Sequence, residues 1–182
     1  LGHNAADVSL LPQLFPLLRI PAFFRGLFVN TRISERNEDF CITAESAVSL
    51  PFSLSRETET MALNAAETHI SIRLPRFSGT LYHYLKDYRN YYILKEDGSL
   101  LPKSLAAFVD ADAREKATRE SARLPFTGDF AALPKRMKTE ARCFQRGINT
   151  TPLYLPLSAL REDSALCETY LSATLTAFKL RN

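Results

Sequence analysis

The stretch His69-Ile70-Ser71-Ile72-Arg73-Leu74 decides the fold. Its apolar residues Ile70, Ile72 and Leu74 alternate with His69, Ser71 and Arg73. Successive side chains of an extended chain point to opposite faces, so this is a strand with one face buried and one wet. Working outward, Phe40, Ile42 and Ala44 repeat the period as a short strand. Val48, Leu50, Phe52 and Leu54 then alternate with Ser49, Pro51, Ser53 and Ser55. Pro51 has no N–H to give a ladder, which places that strand at an edge or a bulge. Downstream, Tyr91 to Leu101 carries Asp97-Gly98 between apolar runs, a signal for a tight hairpin. Leu153, Leu155 and Leu157 read as one late short strand.

The period then changes to that of a helix. Asp110 is positioned to cap a polar helix running through Arg123, with Glu115 and Lys116 meeting Arg119 and Glu120 four residues on. A second helix is expected over 133–146, ending near Gly147. Its apolar face carries Leu133, Met137, Ala141 and Phe144, and its opposite face Lys135, Lys138, Arg142 and Arg146. The last helix, 162–180, sets Cys167, Leu171, Thr174, Leu175 and Phe178 on one side. Strands come first and helices later. The expected class is therefore α+β, a mainly antiparallel sheet from the N-terminal half covered by about three helices from the C-terminal half. Residues 1–30 are set apart as an arm, and 31–182 form a single domain.

That arm is strongly apolar, and its Pro12, Pro16 and Pro21 interrupt any long helix. A transmembrane span is not expected, because the prolines break the internal bonding a span must complete and two arginines lie within it. The segment reads as an extended strap. It packs either on its own domain or, through Leu14, Phe15, Leu18, Phe23, Phe24 and Phe28, on another subunit or a membrane surface. The start at Leu1 suits a processed organellar or exported protein as well as a chain trimmed at its beginning.

Composition bounds the chemistry. With 182 residues, 46% of them hydrophobic and 24% charged, the chain is long enough to bury a core. A net charge of +3 is too small for general coating by nucleic acid, so anion binding is expected to be local, at Lys135, Lys138, Arg142 and Arg146. Tyr82, Tyr84, Tyr88 and Tyr91 lie among Lys86 and Arg89, a pattern that can stack unpaired bases while cations hold phosphates.

Catalytic and metal motifs are not in evidence. Cys41, Cys143 and Cys167 are far apart with no paired spacing, which removes a structural zinc site, and a Cys143–Cys167 bridge is the one disulfide worth testing. His3, His69 and His83 have no ligand spacing, and no nucleophile turn accompanies His83 and Asp87. Asp110 and Asp112 read as helix-start acids rather than metal ligands. Neither glycine-rich phosphate loop is present. No catalytic residue, metal or cofactor is assigned. The expected function is a non-catalytic interaction or structural subunit that joins other protein subunits through the arm and the basic helix. The alternative is a module for RNA or single-stranded nucleic acid.

Overall fold

The computed structural model describes residues 14–178 and 180, and these form two compact units. The fold is α+β, and its strand pairs are antiparallel.

Among the described residues, the first unit contains those up to Phe77, Leu133–Glu140 and those from Leu157 onward. It opens with a 3-10 turn, Phe15–Leu18, that runs into helix α1, Arg19–Arg25. Over residues 15–25 the expected extended strap is thus corrected to helical structure, and residues 1–13 of the expected arm, Pro12 among them, lie outside the described residues. Pro16 and Pro21 fall in the first turns of these two pieces, where a missing N–H leaves few helical bonds unmade. Five strands follow: β1 (Phe28–Arg36), β2 (Asp39–Ser46), β3 (Leu54–Thr58), β4 (Met61–Ala66) and β5 (His69–Tyr84). Their order in the sheet is β1-β2-β5-β4-β3. Two-residue connections link β1 to β2, β3 to β4 and β4 to β5, and Asn37 and Glu67 adopt the positive φ that tight hairpins require.

Alternation then sorts the side chains. Phe40, Ile42 and Ala44, Met61, Leu63 and Ala65, and Ile70, Ile72 and Leu74 are all buried on one face. Helices α2 (Leu157–Glu162) and α3 (Ser164–Ala177) supply Leu160, Cys167, Tyr170, Leu171 and Leu175 to the same core. The Tyr170 ring lies 6.3 Å from that of Phe40. Asp163 caps α3 by accepting a bond from the Leu166 N–H at 3.0 Å. Glu35 ties the rim of the unit together, pairing with Arg76 at 2.9 Å and with Arg161. The expected strand over 48–54 is confined to its last residue, since pairing begins only at Leu54.

Unit two contains Ser78–Ala132 and Ala141–Pro156. The end of β5 pairs with β9 (Arg123–Ala132), β9 pairs with β10 (Tyr154–Pro156), and Tyr154 exchanges backbone bonds with Phe144. Gln145 then bonds Tyr82 of β5, so the pairing returns to its starting strand. Leu81, Phe130, Ala131, Phe144 and Leu155 are buried in this closed set. Gly128 leaves room for a neighbouring ring, because a Cβ there would stand 3.0 Å from Phe126. A separate small sheet has β6 (Tyr91–Leu94) between β7 (Leu100–Pro102) and β8 (Arg114–Lys116), and its Asp97-Gly98 turn is the one the sequence signalled. The expected polar helix over 110–123 is absent. Its residues make a 3-10 turn, strand β8 and a Thr118–Ser121 turn, because Ala117 and Ala122 are drawn into a small core around Ile93.

Two measurements check this architecture. Phe23 is fully buried whereas Leu18 is 69% exposed, so Phe23→Ala is expected to cost about 3–5 kcal/mol in urea unfolding and Leu18→Ser less than about 0.5 kcal/mol. Burial pushes the Tyr170 phenol upward, and Cys167 adds to the shift. A folded value above the unfolded one favours folding fully below about pH 10, and that contribution is lost as pH rises beyond it. The urea midpoint should therefore fall above about pH 10, and fall less steeply in Tyr170→Phe.

Candidate functional site

The N-terminal helical segment divides its apolar residues between two environments. Phe23, Phe24 and Phe28 are buried, and the Phe23 ring makes edge-on contact with Phe24 at 5.2 Å and with Phe28 at 5.7 Å between centroids. Such pairing adds to the burial of their area. Those three docking candidates therefore belong to the core of their own unit. Leu14, Phe15 and Leu18 do not, being 53%, 61% and 69% exposed, and Leu17 joins them at 43%. Among the described residues, the segment is fixed at Phe23 and Phe24 and exposed over residues 14–18.

The basic stripe takes a different form from the one expected. Residues 133–146 hold no helix, Arg136 has a φ of 69°, and Phe144 and Gln145 are committed to backbone pairing. Lys135 and Lys138 are exposed in the first unit, and Arg142 and Arg146 are exposed in the second. Without the helical period, the single-faced arrangement of these four cations has no structural basis. Arg146 instead approaches the Tyr154 ring at 5.9 Å.

The tyrosines separate into two groups. Tyr88 and Tyr91 pack on the small core of Ile93, Ala117 and Ala122. Tyr82 and Tyr84 stay half-buried as neighbours on β5, their rings 6.4 Å apart. Arg123 lies over the Tyr82 ring at 4.1 Å, within the range of a cation–π contact. Sequence reading missed Arg123, because β9 has no clean alternation and its lone cation sits some forty residues from the tyrosine it covers.

Histidine and cysteine chemistry is equally local. His83 Nδ1 donates to the Cys143 carbonyl at 2.8 Å, which commits that nitrogen to the backbone rather than to Asp87. His69 is exposed on the sheet, with Nε2 3.8 Å from Glu45. The three cysteines are free thiols. Burial pushes the Cys143 and Cys167 thiols above the ordinary value, and a protonated thiol is a poor nucleophile. Among the described residues, no group of three or more His, Cys, Asp or Glu side chains gathers as a ligand set.

No protein-family model matches the chain, and neither a curated protein nor a solved structure is detectably similar to it. Among the described residues no helix is long and apolar enough to cross a membrane.

The thiol shifts give a chemical check. In the folded chain at pH 8, Cys143 and Cys167 should react with iodoacetamide more slowly than a free cysteine, and the difference should vanish in urea.

Proposed function

We propose that this chain is a non-catalytic interaction or structural subunit of a larger assembly, docking a partner protein through Leu14, Phe15, Leu17 and Leu18. One observation carries the reading. Phe23, Phe24 and Phe28 anchor the segment in the core while the residues just before them remain in water. An isolated exposed leucine is ordinary, but four large exposed apolar side chains within five consecutive positions concentrate apolar surface of the kind that covers itself on association. Covering them gains roughly 25 cal/mol per Å² of apolar surface, and because the anchored helix is already ordered, little further entropy is lost on docking.

The full chain, tagged and recovered from its source at low salt, is expected to bring a stoichiometric protein that survives nuclease treatment. The variant carrying Leu14→Ser, Phe15→Ser and Leu18→Ser should lose that protein while keeping its urea midpoint. Retention by the triple variant would overturn the proposal. Sedimentation with anionic lipid vesicles in place of a protein would make the patch a membrane contact.

A second reading rests on the arrangement of Tyr82, Tyr84 and Arg123. Two adjacent rings with a guanidinium over one of them offer stacking faces and a phosphate-seeking cation together. If single-stranded nucleic acid is the ligand, oligouridylate titrated at low salt should bind. Tyr82→Ala should weaken it by about 1–3 kcal/mol, and affinity should drop steeply with salt. Binding that ignores salt or the substitution would remove this reading.

A further inference from the structure

The outer face of the first unit's sheet carries a feature that neither the docking patch nor the tyrosine pair explains. Followed across the strand register, Arg32, Thr43, Ser71, Asn64 and Ser55 are direct neighbours, one from each of the five strands. Strands lie about 4.8 Å apart, so the row extends roughly 19 Å. It crosses a concavity of about 770 Å³ whose lining runs from Asn30 and Arg32 on β1 to Ser53 and Ser55 at the far edge. A second hollow of about 470 Å³ shares Thr43, Asn64 and Ser71 with the first. The hollows exist because the central outward positions are short. Ala62, Ala66, Ser71, Thr43 and Asn64 stand where long side chains would fill the space, and the longer Arg32, Arg73 and Glu57 stand around them.

The charges on this face are mostly satisfied. Glu45 accepts from Asn30 Nδ2 at 3.0 Å and lies 3.8 Å from His69. Arg73 pairs with Glu57 at 3.2 Å and Asp39 at 3.6 Å. Arg32, at one end of the row, has no ion pair among the described residues. Beside it the row offers hydroxyls and an amide, groups that both donate and accept. The Ser71 hydroxyl is held by Cys41 Sγ at 3.1 Å.

The geometry points to a binding site for an acidic carbohydrate, lying across the strands with its anionic group on Arg32 and its hydroxyls on Thr43, Ser71, Asn64 and Ser55. Neighbouring sugar hydroxyls need partners that give and take hydrogen bonds at short repeat, and the row supplies them. A guanidinium fork accepts a carboxylate or a phosphate in two parallel bonds, so a uronate and a sugar phosphate share the chemistry. This site is separate from the docking patch, and its failure would leave that proposal untouched.

The test is an NMR titration of the 15N-labelled full chain with tetragalacturonate, glucose 6-phosphate, neutral maltotetraose and acetate. Tetragalacturonate or glucose 6-phosphate is expected to give saturable shifts at the Thr43, Asn64 and Ser71 amides, and whichever binds identifies the anionic group. Arg32→Gln should weaken binding about tenfold, as loss of a charge-assisted bond does. Asn64→Leu, which fills the floor, should weaken it similarly. Both positions are exposed, so unchanged shifts elsewhere in the spectrum will show that the variants fold. The inference is overturned by the absence of saturable shifts with both anionic sugars. It is also overturned by an equal response to acetate or maltotetraose, or by Arg32→Gln binding as wild type.

Discussion

The first unit depends on one constraint, the burial of alternate side chains along β2, β4 and β5 beneath α3. Ile42, Leu63 and Ile72 are at most 2% exposed, and each stands in direct register with a neighbour across the sheet. A slip of one residue would bring Ser71, Asn64 and Thr43 under the helix and put the isoleucines in water, so the register is tightly held. The same alternation that builds the core therefore assembles the polar row on the other face. Neither face can change its register alone. The helix responds to the same demand, since Thr174 is buried but satisfied by the Tyr170 carbonyl at 2.8 Å.

In the second unit the constraint is aromatic. Phe126, Phe130, Phe144 and Tyr154 lie with centroids 5.3 to 6.5 Å apart. Backbone pairing among β5, β9, β10 and residues 144–145 buries Phe130, Phe144 and Tyr154, while Phe126 stays exposed at the edge of the cluster. Closing the pairing gives the strands of this set partners on both sides where they would otherwise present open edges. It also explains why residues 141–146 do not form a helix. Phe144 and Gln145 each have a backbone partner waiting, with bonds of 2.8 to 3.0 Å, and their commitment fixes the chain as extended there.

The sequence was most legible where period and environment agree. The strand from His69, the strand through Phe40 and Ile42, the Asp97-Gly98 turn and the C-terminal helix all follow local pattern. Strand β4 could not be read this way, because Met61-Ala62-Leu63-Asn64-Ala65-Ala66 is rich in helix formers and becomes a strand only through its neighbours β3 and β5. Residues 133–146 show the opposite error, a helical period without a helix, since Arg136 at positive φ and the partners of Phe144 and Gln145 outweigh propensity. For the candidate surfaces, an apolar N-terminal segment was legible but its division was not. Nothing local distinguishes Phe23, which meets Phe24 and Phe28 in the core, from Phe15, which meets water. The polar row was invisible for a different reason: Arg32, Thr43, Ser55, Asn64 and Ser71 become neighbours only once five strands are in register.

The central claim is that Phe23, Phe24 and Phe28 hold the helical segment so that its earlier residues meet a partner protein. The most direct measurement is site-specific photo-cross-linking in the native source. The cross-linker would replace Phe15 in one version of the full chain and Phe52, an exposed aromatic of the same unit, in another. The account predicts one discrete intermolecular adduct from position 15 and none from position 52. Cross-links from position 15 confined to the chain itself, or the same adducts from both positions, would contradict it.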